Sequence, residues 1–323
     1  MKKLIYALTI PIVVLTVIVF GGPRNPPPMP SLNDPFKGVH YLDIPSPSYF
    51  VARDGTRLTF HAYPAAGTSK GSVILVHGSS GKGSGMHVVA KSFAAAGYTA
   101  YALDIRGHGA SGIKGQIEYV GQLEDDLEDF ISNVKPTQPT TLLGFSSGGG
   151  FALRFAGSAK QQLFSNYLLL SPFISPDAPT YRPKSGGWVS VGLPRWVSIG
   201  ALNSIGVRLF NNLPVIKFAL NEKDKARLTP QYSYSLAENF KPERDYRRNI
   251  RAVQQPMALV AGMNDEVFYA DKFAMVFKAE GREVPVTLVP GIGHIAITLD
   301  PVAVQAEISA VNRMNEQNDR AHR

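Results

Sequence analysis

From Tyr49 onward the chain alternates short β-branched or aliphatic runs with longer helix-forming stretches, and that rhythm admits few folds. Ser48 to Val51 and Thr56 to Tyr63 flank Asp54-Gly55, a hairpin turn signal. Ser72 to Val76 is a short aliphatic run suited to a strand buried on both faces. Helix signals run from about His87 to Ala96 and stop at Gly97. Tyr98 to Leu103, Thr140 to Leu143, Tyr167 to Leu170, Met257 to Ala261 and Val286 to Val289 read as further strands. Gln122 to Val134 places Leu123, Leu127, Phe130, Ile131 and Val134 on one helical face, and Ser147 to Ala156 reads as another helix. Asp300-Pro301 opens a last helix as N-cap and first residue. Strands that alternate with helices predict an α/β fold with a mostly parallel sheet covered on both faces.

The alternation pauses between about Phe173 and Pro242. Trp188, Trp196, Phe210, Phe218, Tyr232 and Tyr234 make that stretch too long and too apolar for a plain loop. We expect a cap over about 174–242, its aromatics packing together and the whole shaping a pocket. A domain over 49–315 that includes this cap, and a polar tail over 316–323, are expected.

The N-terminal part is of a different kind. Lys2 and Lys3 precede an apolar run over residues 4–20, which at about 1.5 Å per residue spans roughly 25 Å as a helix. Pro11 would kink such a helix. One reading is a cleaved signal peptide, with Val19 and Gly21 as the small residues near the cut. The preferred one is an uncleaved anchor over residues 1–21, because the run exceeds a usual signal core and the candidate cut lies beside Pro23. Both keep the positive end inside, so the remainder is expected outside the inner or cytoplasmic membrane, tethered to it or released by cleavage. Residues 22–48 hold Pro23, Pro26, Pro27, Pro28, Pro30, Pro35, Pro45 and Pro47, and read as an extended linker.

Composition removes several functions. The chain has no cysteine, which excludes disulfides, thiolate zinc sites and cysteine nucleophiles. The formal charge is +8, but the basic residues are scattered. The one cluster, Arg244, Arg247, Arg248 and Arg251, reads as a solvated helix face. No nucleic-acid module or aromatic–basic platform accompanies it, so nucleic acid is not an expected partner.

Gly144-Phe145-Ser146-Ser147-Gly148 is a G-x-S-x-G pentapeptide between a strand and a helix. A sharp turn there exposes the serine hydroxyl, and the flanking glycines let neighbouring backbone pass without Cβ clashes. Ser146 is therefore the candidate nucleophile; Ser147 is less suited because Phe145, not glycine, lies two positions before it. A serine needs a base to take its proton. Among seven histidines, His322 lies in the tail, His40 near the linker, and His61 and His87 in ordinary strand and helix contexts. His77 and His108 sit in glycine-rich turns. His294 follows the Val286 to Val289 strand through Pro290-Gly291-Ile292-Gly293, on a loop past a strand's carboxyl end, where open α/β sheets place ligands. It is the candidate base. Asp265, directly after the Met257 to Ala261 strand, is the candidate acid that orients it, with Glu266 as runner-up. The backbone N–H groups of Ser79, in Val76-His77-Gly78-Ser79-Ser80-Gly81, and of Ser147 are the expected oxyanion donors.

Together these pieces resemble the α/β-hydrolase superfamily, and within it the branch of monoacylglycerol lipases, lysophospholipases and serine aminopeptidases. The text that carries the resemblance is Arg53-Asp54-Gly55-Thr56-Arg57-Leu58, Val73 to Gly78, Leu103 to Gly112, the serine pentapeptide, Gly262 to Val267 and Gly293-His294. It covers about 49–315. It implies an eight-stranded sheet, a cap after the sixth strand, no cofactor and no metal, and a structural turn at Asp104 to Gly112 that keeps Asp104, Arg106 and His108 out of the catalytic set. Many lipase relatives carry His-Ser-Met-Gly-Gly around the serine, where this chain has Phe145-Ser146-Ser147-Gly148-Gly149. The implied function is a serine hydrolase of carboxylic esters such as acylglycerols or lysophospholipids. The alternatives are an acyltransferase with the same triad, a peptidase-type hydrolase, or a non-catalytic binding protein on this fold.

Overall fold

A computed structural model describes residues 13–28, 38–39, 41–183 and 187–321. Lys2, Lys3, residues 4–12 of the apolar run, His40 and His322 lie outside the described residues. The described part of the run, residues 13–20, is helical (α1). In chain order the body then forms β1 (Ser48–Val51), β2 (Arg57–Tyr63), β3 (Ser72–Val76), α2 (His87–Ala95), β4 (Thr99–Leu103), α3 (Gln122–Val134), β5 (Thr140–Phe145), α4 (Ser147–Ala156) and β6 (Asn166–Leu170). An insertion follows, comprising β7 (Val189–Val191), α5 (Leu193–Ser204), β8 (Pro214–Phe218), α6 (Glu222–Arg227), β9 (Gln231–Ser233) and α7 (Tyr234–Asn239). The chain closes with α8 (Tyr246–Ala252), β10 (Met257–Gly262), α9 (Phe273–Ala279), β11 (Val286–Val289) and α10 (Pro301–Ala321).

Eight strands form one sheet in the order β1-β2-β4-β3-β5-β6-β10-β11. The β1–β2 hairpin turns at Gly55, whose φ of +82° suits glycine, and Asp54 accepts the N–H of Thr56. β2 also runs antiparallel to β4; the pairs from β4 through β3, β5, β6 and β10 to β11 are parallel. The two-residue strand period divides the core. Ile74 and Val76 of β3, with Tyr167 and Leu169 of β6, join one apolar cluster; Val73, Leu75, Leu168 and Leu170 join the cluster on the opposite face. Both faces are covered, which is why β3, β5 and β6 are buried at every residue.

The helices cover those faces with the expected stripes. Leu123, Leu127 and Phe130 of α3 are buried, and Ile131 and Val134 pack beside them. Each such fully buried side chain contributes about 2 kcal/mol of transfer free energy. Asp300 caps α10 by accepting the N–H groups of Val302 and Ala303. α10 runs on past residue 315, so the stretch expected as a polar tail continues the last helix through Ala321. Asp104 accepts the N–H groups of Gly83 and Ala110, and Arg106 bridges Asp54 and Asp126, which makes the 104–112 turn a structural knot. Arg247 and Arg251 of the basic cluster pair with Glu280.

The insertion after β6 forms its own antiparallel sheet, β7-β8-β9. Phe218 and Tyr232 are buried in it, with ring centroids 4.8 Å apart. The described parts of the proline-rich stretch touch the folded domain at separate points: Lys217 donates to Asn25 Oδ1, and His61 Nδ1 bonds to Pro45 O. Arg195 of α5 donates to the carbonyls of Ile18, Val19 and Pro214, which ties the end of α1 to the cap. Asp43 pairs with His87 and Lys91 of α2.

Candidate active site

β5 ends at Phe145 and α4 begins at Ser147, so Ser146 occupies the corner between them. Its φ of 54° and ψ of −118° are strained for a residue with a side chain. Surrounding bonds hold the strain in place: the Ser146 N–H donates to Leu170 O, and its carbonyl accepts from Gly150 and Phe173. The glycines are needed for close approach. A Cβ at Gly144 would collide with the backbone of Gly148, and one at Gly148 with the carbonyls of Val76 and His77.

His294 follows β11, and its Nε2 lies 3.0 Å from Ser146 Oγ. Its Nδ1 lies 2.9 Å from Asp265 Oδ2. The other carboxylate oxygen, Asp265 Oδ1, accepts the N–H groups of Val267 and Phe268, each at 2.8 Å. Burial raises the Asp265 carboxyl, but the His294 charge, the bond to His294 and the two backbone donors outweigh it and hold the group below the usual carboxylate range. Asp265 and His294 are buried, whereas Ser146 is partly exposed. That gradient leaves the hydroxyl reachable while the groups behind it are kept from water.

Glu266 has a different place from its neighbour. Its Oε2 accepts the backbone N–H of His294 at 2.8 Å and so pins the loop rather than the imidazole. Phe145 and Phe268 flank the imidazole, with ring centroids 5.0 and 5.1 Å from it. Phe145 is one of the two departures from the lipase pentapeptide, and its ring thus restricts His294. The other departure is Ser147, whose hydroxyl meets that of Ser79 in a very short contact. Ser79 and Ser147 are thereby adjacent across the mouth of the site, both partly exposed. Ser147 is the first residue of α4, so its N–H has no carbonyl partner within the helix. A negative charge placed beside Ser146 would meet that N–H at a helix N-terminus.

Of the histidines set aside, His77 and His108 are buried and stand 4.7 Å apart, ring to ring. His61 bonds to Pro45 O. Among the described residues, no group of three or more histidine or carboxylate side chains is arranged to hold a metal ion. Sequence reasoning did not find the flanking roles of Phe145 and Phe268, the loop contact of Glu266 or the cap contact of Ser80 described below. All four depend on which side chains the fold brings face to face, and none has a characteristic spacing.

A mostly parallel sheet that carries a serine on a strained strand-to-helix corner, with aspartate and histidine following in that chain order on later loops, is the α/β-hydrolase architecture. Residues 67–300 match the family described as serine aminopeptidase, S33, and the chain belongs to that family. Over 132 residues it is 33% identical to a monoacylglycerol lipase from Mycolicibacterium smegmatis, a match that covers 39% of this chain and 46% of that lipase. The chain thus spans just under half the length of that relative. A soluble variant of the monoglyceride lipase of Saccharomyces cerevisiae, solved with a substrate analogue, superposes with a TM-score of 0.63 at 17% identity, covering 86% of this chain and 98% of that one. A membrane phospholipase A described as a bacterial virulence factor gives a TM-score of 0.57 at 15% identity, covering 98% and 99% of the two chains. Within the family, the chain resembles the monoacylglycerol lipase branch.

Proposed function

We propose that the protein is a serine hydrolase of carboxylic esters, with acylglycerols, lysophospholipids or related small acyl esters as its substrate class. The observation that carries this reading is the unbroken relay from Ser146 Oγ to His294 Nε2 and from His294 Nδ1 to Asp265, at 3.0 and 2.9 Å. In the first half-reaction Ser146 Oγ attacks the ester carbonyl as His294 Nε2 takes its proton. Asp265 holds the Nδ1–H and stabilises the imidazolium. The N–H groups of Ser79 and Ser147 receive the oxyanion. His294 then gives its proton to the departing alcohol, leaving an acyl-enzyme. Water, deprotonated by His294 Nε2, attacks that ester, and Ser146 regains its proton as the acid leaves.

An ester is favoured over a peptide by the similarity to the monoacylglycerol lipase of Mycolicibacterium smegmatis. A panel of p-nitrophenyl esters of graded acyl length tests the reading. Hydrolysis with a maximum at one chain length is expected, and an inert protein across the panel overturns it. Product analysis with an added alcohol acceptor separates hydrolysis from acyl transfer.

Residues 4–20 are assigned to a membrane tether that leaves the catalytic domain outside the cytoplasm. Among the described residues no helix is long and apolar enough to cross a membrane, and the proposed tether reaches beyond them. Support comes from the apolar run behind Lys2 and Lys3 and from the described end, where Val13, Leu15, Val19 and Phe20 remain exposed on the folded protein. The full chain is expected to stay with membranes through an alkaline carbonate wash. Release into the soluble fraction by that wash would overturn the tether.

A further inference from the structure

The cap is bonded to the loop that supplies the first oxyanion donor. Tyr232 lies at the centre of β9, an edge strand of the cap sheet, and is buried. Its hydroxyl accepts the backbone N–H of Ser80, the residue next to Ser79, at 2.6 Å. The same hydroxyl lies 2.7 Å from His108 Nε2. His108 Nδ1 faces the carbonyls of Ile105 and Arg106 at 3.2 and 3.3 Å, so that nitrogen carries the ring proton and Nε2 accepts. Burial, reinforced by the neighbouring His77, holds His108 well below the usual imidazole range, so the ring stays neutral. Every proton in the chain therefore has one direction: Ser80 N–H to Tyr232, Tyr232 O–H to His108, His108 N–H to the 105–106 backbone.

Ser80 is the point where the loop is most constrained. Its φ is +64°, a conformation that a residue with a Cβ adopts only when its surroundings impose it. Those surroundings are largely cap. Besides the bond to Tyr232, Ser80 Oγ donates to Thr229 O at 2.6 Å, and Ser80 O accepts the Thr229 N–H at 2.9 Å. Thr229 Oγ1 in turn donates to Gly107 O. Three polar groups of a single oxyanion-loop residue are thus satisfied by two cap residues.

We propose that Tyr232 is a positioning residue for the oxyanion hole: its hydroxyl, anchored on His108, fixes the Ser80 peptide and with it the aim of the Ser79 N–H. The cap then has a second task besides enclosing substrate, since its sheet holds the loop on which transition-state stabilisation depends. This rests on the ester-hydrolase reading above. Oxyanion donors act on the transition state rather than on the bound ester, so the effect of losing this anchor falls on kcat and spares KM.

The test compares Tyr232→Phe with Phe218→Leu in the full-length protein. Tyr232→Phe keeps the ring and removes only the hydroxyl. Phe218→Leu loosens the same aromatic packing, since Phe218 lies 4.8 Å from the Tyr232 ring, but leaves the hydrogen-bond chain intact. Tyr232→Phe is expected to lower kcat for a p-nitrophenyl ester by about tenfold, less than outright loss of an oxyanion donor, with KM unchanged. Its rate of inactivation by a fluorophosphonate probe is expected to fall by the same factor. Phe218→Leu is expected to lower Tm and keep kcat. A wild-type kcat in Tyr232→Phe overturns the proposal, as does a loss of kcat in both variants in proportion to their loss of Tm. A wild-type protein inert to ester and probe alike overturns the hydrolase reading itself, and the role of Tyr232 falls with it.

Discussion

Ser146→Ala is expected to remove ester hydrolysis, lowering kcat by about 10⁶-fold, and to abolish labelling by a fluorophosphonate probe. The size of the effect follows from what the hydroxyl does. On the proposed mechanism no acyl-enzyme forms without Oγ, and only the slow direct attack of water is left. The substitution deletes one partly exposed oxygen and keeps the Cβ, so the strained corner, with φ at 54°, is as constrained as before. Tm should change little, which separates lost chemistry from lost fold. Labelling that persists in Ser146→Ala would move the nucleophile to another hydroxyl, such as that of Ser147, the next residue, or of Ser79, which meets it.

Asp265→Asn is expected to lower kcat on the order of 10⁴-fold while leaving the fold in place. The orientation of the new amide is dictated by its surroundings. Val267 and Phe268 both donate N–H groups to Oδ1, so the amide oxygen must take that position. The NH₂ group is then turned toward His294 Nδ1, where it donates. That selects the imidazole tautomer with its proton on Nε2, the atom that must accept from Ser146 Oγ at 3.0 Å. Steady-state kinetics on a p-nitrophenyl ester, alongside a melting curve, checks it. A kcat near that of the wild type would take the orienting role away from Asp265. Glu266, the adjacent carboxylate, would then be the group to replace.

Those two variants also mark which features are legible residue by residue and which are not. Ser146, Asp265 and His294 each sit just past a strand, and the two outer members of the set are framed by glycines: Gly144 and Gly148 around the serine, Gly291 and Gly293 before the histidine. Such corners have local causes. A strand that ends in a glycine-flanked turn places its next side chains at the carboxyl edge of the sheet, whatever else the protein contains. The mostly parallel character of the sheet followed from the alternation of strands and helices, since βαβ crossovers make the strands they join parallel, whereas the order of the strands came only with the fold.

The choice between Asp265 and Glu266 could not be local. Both are carboxylates at the same turn after β10, and only the folded loop assigns one to the imidazole and the other to the backbone of His294. Phe145 likewise shows in the sequence only as a departure from the lipase pentapeptide until the fold sets its ring against His294. The tie from Tyr232 to Ser80 joins residues 152 positions apart and leaves no periodic trace. The amino-acid sequence by itself determined the alternation of strands and helices outside the cap and the glycine-flanked serine corner, and it put forward Ser146, His294 and a carboxylate at 265 or 266 as candidates, because each depends on propensity, turn chemistry or chain order over a few residues. Only the tertiary structure decided which carboxylate faces the imidazole, how the cap grips the loop at Ser80 and where α1 ends against Arg195, because hydrogen bonds between distant segments are set by where whole elements pack.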